Sequence, residues 1–518
     1  MPRGVKSRID KQKDKIPNAY WADPQNIIDN RDLSWNPSKI MLGAIGSKII
    51  GLKDDKHLCT VAGSRSGKGV SCVLPNLIHY KGSMLVIDPK GELASITARR
   101  RHNGLGQKVY VLDPFEKTAD WCKPYRAKYN PLSMLHEDNK YLIEDAGLIA
   151  DSLVVVRSDS RADPYWDDSS RNYIEAVVLY VAISPDYEGK RNLVSVFELL
   201  TMGKEFIDQV IDYDTGEVKE KVYKGVMGLC TWMSLTAIDL EARAEEEGKE
   251  YLADVAIIIL GASSTMTERS DRERGSIMST INRHVKFIGY NSIKSVLSDS
   301  DFDLEELKTA DKGCTIYLCL PAGRMGICNR WLRLFINLAL ETMERLGQDE
   351  TATGLSTVFC LDEFATLGYM KQIEDAAGQI ASFHVKLWII LQDLTQLKNL
   401  YSQRWETFMG NAGVLQFFGN SDLTTLEYIQ KYLGKTPVRT KKQASSDKDA
   451  SLSTSYSDDL HDLITIDEAA QKFSRDDKLR RELVLWSGHK AMILQRVVFH
   501  DKDDPLYEKY FQGKYDVW

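Results

Sequence analysis

No window of the 518 residues approaches the ~18 uninterrupted apolar positions that a membrane-spanning helix requires. The nearest, IMLGAIGSKIIGL from Ile40, is short and carries Lys48. The start, MPRGVKSRIDKQKDK, has no apolar stretch of the kind a secretory signal needs, and it reads as a mobile basic arm. The eight cysteines are scattered among apolar runs, without C-x-x-C pairs or histidine spacing, which excludes a zinc ribbon or finger. They read as small core residues in a reducing cytoplasm. A basic excess is also missing. The net charge of -7 excludes the whole-chain footprint of a nucleic-acid binder and leaves only a local basic channel for such a role.

The chain does have a hydrophobic fraction of 43%, enough for more than one core, so two to four structural units are expected. From Lys56 the pattern alternates: HLCTVA reads as a strand, a Gly-rich loop follows, and Val70 to His79 begins a helix. GSMLVIDPKGEL supplies a second strand ending on Asp88, ASITARRRHNG a helix closed by Gly104, and KVYVLDPF a third strand. This order predicts an α/β fold with a doubly wound, mostly parallel sheet. From Tyr187 to Arg274 the apolar residues fall at helical spacing, which predicts an all-α insertion, interrupted by a polar turn, DYDTGEVKEKV, of hairpin character. Strands return with CTIYLCL, STVFCL, VKLWIIL, VLQFF, ELVLW and KAMIL, the last two closing the same sheet. The resulting division is an arm and lead-in over 1–50, a nucleotide-binding part over 51–186, the insertion over 187–274 and a second nucleotide-binding part over 275–439. A flexible polar linker over 440–460 and closing strands over 461–518 follow, the linker being Ser/Lys/Asp-rich and without apolar periodicity.

The loop AGSRSGKGV resembles the phosphate-binding pattern G-x-x-x-x-G-K-[ST] between a strand and a helix. Gly63, Ser64, Arg65, Ser66, Gly67, Lys68, Gly69 and Val70 are the candidate nucleotide-binding residues. Successive amides there make an anion nest, and Lys68 neutralises terminal phosphates. Two positions depart from the pattern: Ala62 replaces the first glycine, and Gly69 the hydroxyl residue that would touch Mg²⁺. TVFCLDEF delivers Asp362 and Glu363 at the carboxyl end of a strand, where parallel sheets place ligands. Asp362 is suited to hold Mg²⁺ and Glu363 to act as general base. Gln392, at the tip of the next strand, is either a contact to the γ-phosphate or lytic water, or an ordinary strand-end hydrogen bonder. Asp88, Lys90 and Glu92 are nucleotide-side residues or a turn. Hydrolysis also calls for an arginine, worth roughly 10³ to 10⁵ in rate, with Arg272, Arg274, Arg283, Arg324, Arg330 and Arg404 as candidates.

SRSGKGVSCVLPNL, GSMLVIDPKGEL, VYVLDPF, YNPL, FCLDEFATLG, LQDLTQL and GNAGVLQFFGN, in this order, resemble the type IV secretion coupling proteins, a family of conjugative ATPases. The resemblance covers Lys56 to the end. It implies a RecA-like P-loop NTPase domain, a cargo-selecting all-α insertion, ATP and Mg²⁺ as cofactors, and a homohexamer when active. Implied partners are a relaxase or effector protein, single-stranded DNA and the channel components. Lys68, Asp362, Glu363 and Gln392 match the family's phosphate, metal, water-activating and third-motif positions, and Gly69 matches a frequent family variant, RSGKG. The family usually begins with transmembrane helices. Their lack here leaves two expectations: a chain from which a membrane segment has been removed, or, the one leaned to, a cytoplasmic member recruited to the inner membrane by a separate anchor protein. The functional expectation is an ATP-driven coupling motor. Its alternatives are a nucleotide-binding docking adaptor with little hydrolysis and a chromosomal DNA translocase.

Overall fold

The computed structural model describes residues 19–155, 164–211, 218–445 and 452–514. The basic arm read at the start therefore lies outside the described residues. The chain forms two compact units, one of Met1–Lys81, Val358–Ala365 and Lys386–Trp518, the other of Gly82–Thr357 and Thr366–Val385.

In the first unit, strands lie across one sheet in the order Lys48–Leu52, Ile40–Ile45, Met492–Gln495, Arg481–Trp486, Ala412–Phe418, His57–Ala62, Val385–Leu391 and Thr357–Leu361. His57–Ala62 pairs in parallel with both Val385–Leu391 and Ala412–Phe418. Every residue of these three strands is buried, as parallel strands covered on both faces must be, which is why each reads as a mainly apolar run, interrupted only at His57, Thr60, Lys386 and Gln416. The two closing strands join the same sheet antiparallel, and a hairpin of Ile40–Ile45 and Lys48–Leu52 continues its edge. All eight cysteines are buried, and none forms a disulfide.

The second unit has a parallel trio, Lys108–Leu112, Cys314–Cys319 and Met84–Asp88, with Cys314–Cys319 in the middle. Its helical part holds Pro164–Ile183, Leu193–Met202, Gly225–Glu247, Glu250–Glu268 and Asp271–Val285. Gly225–Glu247 ends at Gly248, whose φ of +64° suits a residue without a Cβ, and the next helix starts two residues later. Of the predicted polar turn DYDTGEVKEKV, Val218–Val222 belong to the strand Val218–Tyr223, which pairs antiparallel with Phe206–Ile211; residues 212–217 lie outside the described residues.

One expectation is corrected. The segment read as a flexible linker over 440–460 carries strands: Lys435–Ser445 and Leu452–Asp462 pair antiparallel along their whole length, with 446–451 outside the described residues. Apolar periodicity reports burial against a core, whereas a two-stranded ribbon is held by backbone hydrogen bonds between its arms. A polar sequence can therefore be extended and ordered without showing that period.

Polar groups inside the first unit's sheet are satisfied in a chain. Trp388 Nε1 donates to Thr60 Oγ1 at 2.9 Å, Thr60 Oγ1 donates to Gln416 Oε1 at 2.9 Å, and Gln416 Nε2 donates to the Leu42 carbonyl at 3.0 Å. Thr60→Val keeps the volume but strands the indole N–H and the Gln416 oxygen. Each buried unsatisfied group costs about 1–3 kcal/mol, so the expected loss for the two is about 2 to 6 kcal/mol, measured as a lowered urea midpoint.

Candidate nucleotide site

The candidate site lies at the carboxyl ends of the first unit's parallel strands. His57–Ala62 leads into Gly63, whose N–H donates to the Phe418 carbonyl at 3.2 Å. A Cβ on Gly63 would stand 1.9 Å from the Gly419 carbonyl oxygen, so only glycine lets the loop pass this close to the neighbouring strand end. Arg65 and Gly67 take positive φ, 55° and 89°, which folds the loop back on itself. The Ser66 N–H bonds to the Gly63 carbonyl, and Ser71 N–H to Gly67, opening a wide first turn at Gly69–Val73 that runs on as the helix Leu74–His79.

The loop delivers Lys68 to the two acids. Lys68 Nζ lies 3.1 Å from Asp362 Oδ1 and 2.6 Å from Glu363 Oε1. Burial works against the Lys68 charge, but the attraction of Asp362 and the hydrogen bond to Glu363 outweigh it and hold its pKa above the ordinary value. Asp362 is the most enclosed of the three. Burial raises its pKa, and Lys68 offsets this only in part. Glu363 has a φ of 56°, left-handed for a residue with a side chain, and its N–H donates back to Asp362 Oδ1 at 3.0 Å.

Gln392 Nε2 donates to Glu363 Oε2 at 3.0 Å, so Lys68 and Gln392 hold one carboxylate from its two oxygens. Asn420, directly after Gly419, donates through Nδ2 to the Gln392 carbonyl at 3.4 Å. Asn420 ends the segment GNAGVLQFFGN, and its place, a polar residue at a strand's carboxyl end, is the same signal that singles out Asp362 and Gln392. The Ser66 hydroxyl and the Asn420 Oδ1 are buried without a hydrogen-bond partner. Both are polar groups ready for a ligand.

The remaining loop positions divide clearly. Ser64 and Arg65 are exposed, and Gly67, Lys68, Gly69 and Val70 are half-buried. A Cβ on Gly69 would meet nothing within 4 Å, so the missing hydroxyl residue is not excluded by space. Ser71 does not replace it, because its hydroxyl donates to the Gly67 carbonyl at 2.9 Å. Asp88, Lys90 and Glu92 belong to the second unit. There Asp88 accepts from the N–H groups of Lys90 and Ala94, which is the work of a turn and helix start. Among the arginine candidates, Arg274 binds the Met266 and Arg269 carbonyls, Arg330 the Leu153 carbonyl, and Arg283 pairs with Asp167, all within the second unit. Arg324 lies over the Phe115 ring. Among the described residues no helix is long and apolar enough to cross a membrane.

A strand-loop-helix carrying a lysine, an acid pair on a neighbouring strand end and a glutamine on the strand between can bind an anion and position water beside a base. Comparison with known proteins agrees with this architecture. Escherichia coli conjugal transfer protein TraG is 23% identical over 473 residues, covering 88% of this chain and 68% of TraG. Protein VirD4 of Agrobacterium fabrum (strain C58 / ATCC 33970) is 24% identical over 467 residues, 86% of this chain and 59% of VirD4. This chain therefore spans roughly three fifths to two thirds of those relatives. The solved structure of the plasmid coupling protein TrwB in complex with ADP and Mg²⁺ superposes with a TM-score of 0.60 at 13% identity, covering 93% of this chain and 94% of that one, which establishes a shared fold. The family described as Type IV secretory system Conjugative DNA transfer matches residues 10–514, and the chain belongs to that family.

Proposed function

We propose that this chain is an ATP-driven coupling motor of type IV secretion, binding ATP with Mg²⁺ at the Lys68 site and using hydrolysis to pass relaxase-bound DNA or effector proteins to the channel. The single observation that carries the reading is the contact of Lys68 with both Asp362 and Glu363. A cation held by two carboxylates has an alternative anionic partner in a terminal phosphate, and it stands on a loop whose amides would receive the same group. TrwB, which shares the fold, has been solved with ADP and Mg²⁺.

Mg²⁺, when bound, supplies positive charge to the phosphate oxygens. Such sites commonly use one or two carboxylates plus phosphate oxygens and water, and Asp362 is placed to be the carboxylate. Lys68 moves its ammonium from the acid pair to the phosphates. Glu363 then loses the cation on Oε1 while Gln392 still holds Oε2. A carboxylate freed from a cation is a stronger base, so Glu363 can accept a proton from an attacking water. Gln392 orients that carboxylate and, through its main chain, is tied to Asn420. The contact is therefore both a resting lock and a report of nucleotide occupancy.

The helical segment supports a cargo-reading role. Ile238, on Gly225–Glu247, and Ile257, on Glu250–Glu268, are 58% and 66% exposed, apolar surface that suits a protein partner. A homohexamer, single-stranded DNA, channel components and a place at the cytoplasmic face of the bacterial inner membrane complete the proposal on the strength of the family match. A docking adaptor with little hydrolysis is the second reading. It is favoured by Gly69, which offers Mg²⁺ no hydroxyl, and by Ser71, whose hydroxyl is already engaged.

Two measurements test this. In equilibrium titrations with ATP and Mg²⁺, Lys68→Ala should abolish binding, whereas Gly69→Ser should bind as the natural chain does, because its Cβ has open space. Unchanged affinity in Lys68→Ala would show that this loop is not the phosphate cradle. In steady-state turnover with and without single-stranded DNA, the motor reading expects hydrolysis that Glu363→Gln reduces by roughly 10² or more, the upper range for losing a general base. Turnover undetectable at high protein concentration, and indifferent to Glu363→Gln, would leave the adaptor.

A further inference from the structure

The closing strand of the first unit brings one buried cation against the back of the phosphate loop. Arg496 follows Met492–Gln495 and is 5% exposed. Its guanidinium donates to four main-chain carbonyls: Nη1 to Ser66 at 2.7 Å, Nε to Arg480 at 3.3 Å, and Nη2 to Ser474 at 3.4 Å and to Arg475 at 3.2 Å. Its carbon lies 5.1 Å from the centre of the Phe418 ring, on the strand beside the loop. A second tether runs alongside, from the Gly419 N–H to the Phe473 carbonyl at 2.6 Å.

The Ser66 contact bears on the chemistry through the geometry of one peptide group. In a trans peptide the C=O and the following N–H point in opposite directions in one plane, and no described peptide bond is cis. Fixing the Ser66 carbonyl toward Arg496 therefore turns the Gly67 N–H away from Arg496. Gly67 has a φ of +89° and open space where a Cβ would be, so neither a side chain nor the common backbone wells hold that plane. Ser66 Oγ, buried and unpartnered, does not hold it either. The restraint comes from outside the loop.

From this geometry we infer that Arg496 is a positioning residue for nucleotide binding: it locks the Ser66–Gly67 peptide so that the Gly67 amide faces the phosphates, and it joins the loop to the Ser474–Arg481 segment. The inference rests on the nucleotide reading of the site. It concerns a residue more than 400 positions from the loop that no sequence pattern marks. A charge alone does not suffice for this task. Four carbonyls in different directions need the planar fork of an arginine, with five N–H groups, and lysine offers a single point.

The test is calorimetric titration of the full chain with ADP and Mg²⁺, beside thermal unfolding of the nucleotide-free protein. The variants are Arg496→Lys, Arg496→Met and, as a control, Lys386→Met. Lys386 is also a buried cation bound to carbonyls, those of Asp54 and Lys56, but at the opposite ends of the same strands. All three variants should melt earlier. Only the Arg496 pair should lose affinity, by about 10- to 100-fold, the scale of one charge-assisted hydrogen bond. Lysine should fail to rescue. Arg496→Lys and Arg496→Met binding ADP as tightly as the natural chain, while melting early like the control, would overturn the inference and leave the nucleotide reading standing. A natural chain that binds no ADP would overturn both.

Burial pushes the Glu482 carboxyl up to about 8 while Arg496 favours its charged form, so removing the arginine alone leaves a buried acid without its counter-charge and could prevent folding. The double variant Arg496→Met with Glu482→Leu removes both groups and answers the same question. Should no variant fold, amide exchange on the natural chain decides. Adding ADP and Mg²⁺ should protect Ser474–Arg481 together with Gly63–Gly69, and protection confined to the loop would overturn the inference.

Discussion

The ammonium of Lys68, set between the carboxylates of Asp362 and Glu363, is the contact around which the first unit's strand ends are arranged. Two neighbouring acids in a partly enclosed place repel one another, and at an effective dielectric of about 20 such an interaction is on the order of a few kcal/mol at contact distances. One cation between them removes that repulsion. It also ties the loop after one strand to the turn after another, while Gln392 brings in the strand between. The ligand-facing end of the sheet is thereby held together by charges that a phosphate could redistribute.

That arrangement explains features that look separate. Gly63 and Gly419 are both needed because the loop and the neighbouring strand end pass within contact of each other: a Cβ on Gly63 would strike the Gly419 carbonyl, and one on Gly419 would lie 2.5 Å from Ser66 Cβ. The left-handed backbone of Glu363 belongs to the sharp turn that sets two successive acids on one ammonium. Under the proposed function, the absence of a hydroxyl at Gly69 spares the amides and Lys68 that would bind the anion and places the demand for the metal on Asp362.

Much of this was legible in the sequence, and the parts that were not share a physical reason. HLCTVA, VKLWIIL and TVFCL are buried on both faces, so their apolar runs announce strands, and the residues just past them, Lys68, Gln392, Asp362 and Glu363, come together in the structure. The ribbon of Lys435–Ser445 and Leu452–Asp462 is held by backbone pairing, which leaves no hydrophobic period to read. Asn420 was visible as a strand-end polar residue but not as a partner of Gln392, because that contact goes through a main-chain carbonyl. The binding of Arg496 to Ser66 is likewise a side chain to backbone contact, and the identity of Ser66 plays no part in it. The break between the two units at residue 82 falls inside an alternating strand and helix pattern that continues without any change of composition.

The central claim is that Lys68 exchanges its carboxylates for phosphate. A crystal structure of the full chain with ADP and Mg²⁺ tests it most directly, through the distance from Lys68 Nζ to Glu363 Oε1, which is 2.6 Å here. The account predicts that this contact opens beyond hydrogen-bonding range, with Nζ on a phosphate oxygen and Gln392 still on Glu363. A nucleotide bound with the Lys68–Glu363 contact unchanged would contradict it.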